Sequence, residues 1–276
     1  MILVLSGSSS CGKNTIIKEL MSQDNELKYI HTFTSRDKRQ GESDGDPYFF
    51  ITKEEFQQKI KNGDFFEHEL IHNNFYGVEK NLCKELLKEN KHLLKDMGVI
   101  GTFNLKEQLK DNFVETIYLY VSKHELKKRL KKRGDSKQQI KQRLKRFKFE
   151  KANMIKYNFV IHNNNKQNTI KIIQKILENN TNFYNFIKTT KDLDKIDMKK
   201  LQIFQDDMIN NKEYKPIKIY FNGKDFYIKH HLEKYIASII TNKNLAKQIE
   251  ITKEMPKTLI SSKNIMNFVS KIQLKK

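Results

Sequence analysis

The stretch that most constrains this chain is Gly7-Ser8-Ser9-Ser10-Cys11-Gly12-Lys13-Asn14-Thr15. It follows the apolar run Met1 to Leu5 and precedes a segment that sets Ile16, Ile17 and Leu20 on one helical face. Strand, glycine loop and helix in that order, with the spacing G-x-x-x-x-G-K, describe a phosphate-binding loop. Its two glycines let backbone N–H groups curl around a β-phosphate at the start of the helix, and Lys13 reaches the β- and γ-phosphates. The loop departs from the pattern at Asn14, where a Ser or Thr hydroxyl ordinarily ligates Mg²⁺. An amide oxygen is also a hard ligand, so Asn14 is the candidate metal residue. Cys11 reads as a small filler.

Further along, apolar runs alternate with helical patterns, which predicts an α/β fold around a parallel sheet. Strands are expected at 92–95, Thr116 to Val121 and Tyr157 to Ile161, the last of them. Helices are expected at 52–62, 103–111, 123–132, 136–155 and 166–178, with glycine turns at Asn62-Gly63 and Tyr76-Gly77. Past Asn179-Asn180 arginine disappears. A helix over 195–211 is followed by Lys215-Pro216 and by Ile217 to Phe221. Asn222-Gly223 then leads to Phe226-Tyr227-Ile228, a hairpin signal, and a helix over 231–241 follows. The expected organisation is a three-layer phosphate-loop domain over 1–180 and a small α+β domain over 181–276.

The formal charge of +20, from 53 basic and 33 acidic residues, suggests a nucleic-acid binder until the residues are sorted. Only six of the 53 are arginine, and the excess is shared by both parts of the chain: 34 minus 23 over 1–180 and 19 minus 10 over 181–276. Lysine is the default solvated residue here, and a nucleic-acid or protein partner stays open only for the C-terminal part. No apolar run reaches the roughly 18 residues a membrane span needs, and the N-terminus lacks a signal-peptide pattern, so a cytoplasmic protein is expected. Cys11 and Cys83 make neither a disulfide framework nor a metal knot. Nor do His31, His68, His72 and His92 follow a zinc spacing, and His230-His231 reads as a pair of surface residues at a helix start.

The two arginines at the start of the chain are then informative. Thr34-Ser35-Arg36-Asp37-Lys38-Arg39-Gln40-Gly41-Glu42 runs on to Tyr48, a polar loop that places planar guanidinium forks three residues apart. Such forks suit phosphate oxygens better than the point charge of lysine.

With the phosphate loop, the pattern T-S-R-x-x-R-x-G-E-x-x-G-x-x-Y resembles the guanylate kinase family. Glu55-Phe56, Gly63 to Glu67, Tyr76-Gly77, Arg129 to Gly134, Arg143-Leu144 and Tyr157 to Asn163 agree in order and spacing, over roughly residues 1 to 180. The resemblance implies that Lys13 and the amides of Gly7 to Thr15 hold ATP phosphates. It implies that Arg36, Arg39, Tyr48 and Tyr76 hold the phosphate of an acceptor nucleotide, and that Glu67 accepts from N1–H and N2–H of guanine, with Thr32 and Asp96 beside it. Arg133 and Arg143 correspond to lid arginines, so that Lys13, Arg39, Arg133, Arg143 and Mg²⁺ carry the transfer. Arg129 is a weaker match and Arg146 has none. The implied reaction is ATP-dependent phosphorylation of a nucleoside monophosphate, GMP or dGMP, without a covalent intermediate.

Three departures fall on the acceptor side. Val78 stands where the family has Ser or Thr, Gly98 where an ungapped alignment puts an aspartate, and Thr32 where Ser is frequent. An alignment slip would return Asp96 to that place. A different or modified purine nucleotide is the alternative acceptor, and a scaffold that binds without turnover is the non-enzyme alternative. Retention of Gly7, Gly12 and Lys13 argues against the scaffold. Residues 216–240 faintly resemble the sulfiredoxin and ParB-like fold, but Lys229-His230-His231-Leu232 lacks its phosphate signature, and no function is assigned to them.

Overall fold

The computed structural model describes residues 1–38, 41–71, 73–89, 92–109, 114–178, 187–189, 193–210, 217–221, 226–241, 247–251 and 260–273. The expected punctuation at Asn179-Asn180, Lys215-Pro216 and Asn222-Gly223 lies outside these residues, as do Arg39 and His72. The chain divides into two compact units, Met1–Gly7 with Lys13–Ile117, and Ser8–Gly12 with Tyr118–Lys276.

In chain order the first unit holds β1 (Ile2–Ser6), α1 (Lys13–Gln23), β2 (Leu27–Tyr29), β3 (Thr32–Thr34), β4 (Ser43–Asp44), β5 (Pro47–Phe50), α2 (Lys53–Lys61), β6 (Phe65–Ile71), β7 (Asn74–Glu79), α3 (Lys80–Glu89), β8 (His92–Asp96), α4 (Val99–Leu109) and the start of β9 (Val114–Tyr120). β1 is buried at every position, as expected of a parallel strand covered on both faces. It pairs in parallel with β8, Ile2 opposite Leu93 and Leu5 opposite Asp96, and β8 pairs in parallel with β2. Ile2, Val4, Leu93, Leu105 and Val114 form the core beneath, which Val78 and Phe66 join.

A second sheet, in the order β4-β5-β3-β7-β6, carries the acceptor-side residues. Helix α2 starts at a reciprocal capping box between Thr52 and Glu55 and lays Phe56 between Phe65 and Phe75, ring centroids 4.4 and 5.2 Å away. The expected turn at Tyr76-Gly77 is corrected here, because both residues lie inside β7. Gly77 is there for space: a Cβ would fall 2.9 Å from Phe56 Cζ and 3.1 Å from the carbonyl oxygen of Glu67.

The second unit contains the end of β9, then α5 (Lys123–Lys132), α6 (Lys137–Asn153), β10 (Phe159–His162), α7 (Lys166–Glu178), β11 (Ile187–Thr189), α8 (Met198–Ile209), β12 (Ile217–Phe221), β13 (Phe226–Ile228), α9 (Leu232–Ile240), β14 (Lys247–Ile251) and α10 (Ser262–Gln273). Strands β12 and β13 pair antiparallel, Tyr220 opposite Tyr227, as the hairpin signal predicts. Strand β10 is the last described strand within residues 1–180, as expected, but its sheet continues into the C-terminal part. β14 pairs in parallel with β10 on one side and with β12 on the other, so the order runs β10-β14-β12-β13-β11. A parallel partner almost ninety residues away leaves no local signature, and β14 was absent from the sequence expectation for that reason. His231 caps α9 in a left-handed conformation, φ +60°. No helix among the described residues is long and apolar enough to cross a membrane.

Candidate functional site

The loop after β1 is built on unusual backbone. Gly7 and Gly12 take φ of +146° and +106°, and Ser10 takes +66°, a left-handed conformation that a residue with a Cβ seldom adopts. The Ser10 Oγ is buried with no hydrogen-bond partner. An unmatched buried hydroxyl costs about 1–3 kcal/mol, and an oxyanion in the loop would satisfy it. Lys13, the first residue of α1, donates from Nζ to the carbonyl of Gly7 at 2.7 Å. Asn14 and Thr15, in the same turn, are exposed. They share a surface hollow with Lys18, Glu19 and Ser22. No trio of His, Cys, Asp or Glu among the described residues is arranged to hold a metal ion. A lone amide oxygen at Asn14 fits a Mg²⁺ that takes most of its ligands from phosphate and water.

Within the second unit, Ser8 to Gly12 are tied down by side chains from β9, α5 and α6 and by Asn163, just after β10. Ser8 Oγ donates to Glu150 and lies 3.3 Å from the Tyr118 hydroxyl. The Cys11 carbonyl accepts from Asn163 Nδ2 at 2.8 Å and from Arg129 Nη1 at 3.1 Å, and Arg129 Nη2 also reaches the Asn163 carbonyl at 3.2 Å. Asn163 is itself oriented by Thr169, whose hydroxyl donates to Oδ1 at 2.9 Å. Gly12 allows this approach, since a Cβ there would sit 2.8 Å from Asn163 Nδ2. Arg129 therefore braces the loop. Arg129→Ala would leave two carbonyls without a charged donor. It is expected to lower stability by about 1–3 kcal/mol, read by urea unfolding, and to raise the KM for ATP more than it lowers kcat.

Arg133 and Arg143 meet at one carboxylate. Arg133 is the C-cap of α5, and Gly134 follows at φ +88°, which turns the chain at once toward Ser136, the capping-box start of α6. Asp135 lies inside that turn, where it accepts from Arg133 Nε at 2.9 Å and pairs with Arg143 Nε at 3.0 Å. The hydrogen bond from Arg133 and the charge of both arginines hold the Asp135 carboxyl below its ordinary range. Arg143 Nη1 also donates to Ser9 Oγ at 2.6 Å. Two guanidinium groups thus share Asp135, and one of them, Arg143, reaches the loop at Ser9.

The acceptor side lies within the first unit. Arg36 Nη2 donates to both Glu42 oxygens, at 2.9 and 2.8 Å, and its guanidinium sits 5.5 Å from the Tyr48 ring and 5.4 Å from that of Phe50. Arg36 also lies close to Tyr76, whose ring is 5.8 Å from that of Tyr48. Burial, with Tyr76 and Asp96 nearby, raises the Tyr48 hydroxyl above its usual pKa. Asp96 accepts a hydrogen bond from the Tyr29 hydroxyl. Deeper in the unit, Glu67 on β6 faces Val78 on β7, and its carboxylate lies where a Cβ on Gly101 would come within 2.9 Å of Oε2. Lys95 is buried beside it and donates to the Ile30 carbonyl at 2.8 Å and to Thr32 Oγ1.

The guanylate kinase family model matches residues 1–180. The chain belongs to the guanylate kinase family. It is 35% identical over 182 residues to a guanylate kinase of Oceanobacillus iheyensis, a match covering 64% of this chain and 86% of that one. A guanylate kinase of Clostridium perfringens is 36% identical over 180 residues, covering 64% and 82%. Among solved structures, guanylate kinase from Anaplasma phagocytophilum superposes with a TM-score of 0.50 at 30% identity, over 64% of this chain and 84% of that one.

Measured against the family pattern, the structure brings Arg36, Tyr48 and Tyr76 together, and it sets Lys95 on Thr32 with Glu67 within reach of its charge. Asp96 accepts from Tyr29, with Tyr48 and Lys95 near it. A Cβ on Gly98 meets nothing within 4 Å, so an aspartate there would have room. Sequence reasoning missed Lys95, although a lysine inside the buried run His92-Leu93-Leu94-Lys95 was a signal. It gave no role to Asp135, Glu150 or Asn163, polar residues whose partners include Arg143, Ser8 and Cys11.

Proposed function

We propose that this member of the family is an ATP-dependent nucleoside monophosphate kinase that transfers the γ-phosphoryl group of ATP to GMP or dGMP. The observation that carries the reading is the retained loop, with Lys13 bonded to Gly7 and the unmatched Ser10 hydroxyl in a left-handed turn. Lys13 and the loop amides hold the ATP phosphates. Arg36, Arg39, Tyr48 and Tyr76 hold the acceptor phosphate, for which it must displace Glu42 from Arg36, and Glu67 reads the base edge. Arg133 and Arg143 release Asp135 and stabilise charge on the transferring group. Asn14 would hold Mg²⁺ through its amide oxygen, and the ion would neutralise charge on the β- and γ-oxygens. Residues 181–276 are proposed as an accessory α+β domain. A cytoplasmic location fits enzymes that draw on pools of ATP and nucleoside monophosphates.

A coupled assay of the purified chain with ATP, Mg²⁺ and a panel of nucleoside monophosphates tests this. GMP and dGMP are expected to give the highest kcat/KM. ATP binding with no turnover of any acceptor would instead identify a scaffold.

A further inference from the structure

We propose that the buried ammonium of Lys95 is the positioning group that sets the polarity of the base pocket, turning Thr32 into a donor and Glu67 into an acceptor, so that a 2-amino-6-oxopurine monophosphate is selected over an adenine one. The inference deepens the kinase reading and rests on it.

The pocket lacks two polar side chains at places where the family pattern has them. Val78, opposite Glu67, is fully buried and has nothing to offer, and Gly98 faces open space. A cation has been placed among what remains. An ammonium has three donors and no acceptor. Lys95 commits one to the Ile30 carbonyl and one to Thr32 Oγ1. A hydroxyl that accepts from an ammonium keeps its own proton to give, so Thr32 presents a donor. Burial pushes the Glu67 carboxyl up to about 7 and the charge of Lys95 opposes that rise, so that above this pH Glu67 is ionised and presents acceptors only. Guanine offers the oxygen of O6 beside N1–H and N2–H₂, an acceptor next to donors. Adenine offers an amino donor at the same corner, which would confront the Thr32 proton.

The groups facing this pair are few. Glu67 feels Lys95 from β8 and Glu69 from its own strand. Lys95 feels Asp96, Glu67 and Cys83 of α3, and its Nζ lies 5.0 Å from the Tyr29 ring centroid. Burial opposes both charges: it raises the Glu67 carboxyl to about 7, and it lowers the Lys95 ammonium to about 8. Below the first value Glu67 takes up a proton, and above the second Lys95 loses one. Cys83, pushed by burial to about 12, stays neutral throughout.

The experiment measures kcat and KM for GMP and AMP with ATP and Mg²⁺ between pH 6 and 9.5, for the full chain and for Lys95→Met and Lys95→Gln. Wild type is expected to give a bell-shaped kcat/KM for GMP with limbs at the two values above. In Lys95→Met the alkaline limb disappears, and the acid limb moves up because the cation that favoured the Glu67 carboxylate is gone. At pH 7.5 its KM for GMP rises about 10- to 100-fold with kcat little changed, and the preference for GMP over AMP shrinks. Substrate ionisation is common to all the proteins and cancels in the comparison. A folded Lys95→Met protein that keeps both limbs and the wild-type preference overturns the proposal. If neither Lys95 variant folds, Thr32→Val decides: it should lose the preference while Thr32→Ser keeps it, and an unchanged preference in Thr32→Val overturns the idea. A wild type that phosphorylates no monophosphate brings down the kinase reading itself, a result distinct from a GMP-active wild type whose Lys95 variants behave alike.

Discussion

Lys13→Ala is expected to reduce kcat by at least about three orders of magnitude while leaving the fold intact. Phosphoryl transfer asks little covalent chemistry of the protein, so the rate comes from positioning and from charge placed against the developing oxyanions. On the proposed function, Lys13 is the residue that brings a positive point charge to that place. Its Nζ is held at 2.7 Å from the Gly7 carbonyl, so the ammonium is directed back over the loop instead of trailing into solvent. The side chain is only partly buried, and the loop beyond it is braced separately by Arg129 and Asn163. Truncation therefore removes charge without opening a cavity. The test is a single-turnover assay with saturating ATP and GMP, paired with a thermal melt. Turnover above a few per cent of wild type in a folded Lys13→Ala protein would refute the phosphate role.

Arg143→Ala is expected to show the second largest loss, about 10²- to 10³-fold in kcat, again with a melting temperature close to wild type. Its side chain is 40% exposed, and its partner Asp135 keeps a second pairing with Arg133, so little structure depends on it. What goes is a guanidinium bonded to Ser9 of the loop, which on the proposed function exchanges Asp135 for phosphoryl oxygens. Arg143→Lys should recover only part of the rate, because an ammonium lacks the planar fork. This profile separates Arg143 from Arg129, whose loss should register in stability and in the KM for ATP. Equal effects of the two alanine variants on stability, with kcat of Arg143→Ala close to wild type, would show that both arginines are braces and that neither serves the reaction.

Much of the candidate site was legible because its chemistry is local. The spacing from Gly7 to Lys13 dictates a loop that can wrap phosphate, and the pairing of Arg36 with Glu42 spans only six residues. The scarcity of arginine in a lysine-rich chain singled out Arg36, Arg39, Arg133 and Arg143 as candidates, and Arg133, Gly134 and Asp135 form one short turn whose geometry follows from a cap and a glycine. Other features had no local trace. Gly77 looks like a turn residue until the rings of Phe56 and Phe65 are seen against it. Asn163 reads as one of several asparagines until its amide is found on Cys11, 152 residues away.

The sequence by itself determined the phosphate loop, the alternation of strands and helices and the arginine placement, since each depends on neighbours along the chain and on elementary backbone limits. Tertiary structure alone decided which polar groups share a buried space. Lys95 is one lysine among many until β8 carries it beneath β3 and beside Glu67. There, low dielectric and the loss of water turn an unremarkable side chain into the charge that orders its neighbours. The same holds for β14, whose place between β10 and β12 follows from long-range pairing that no window of sequence contains.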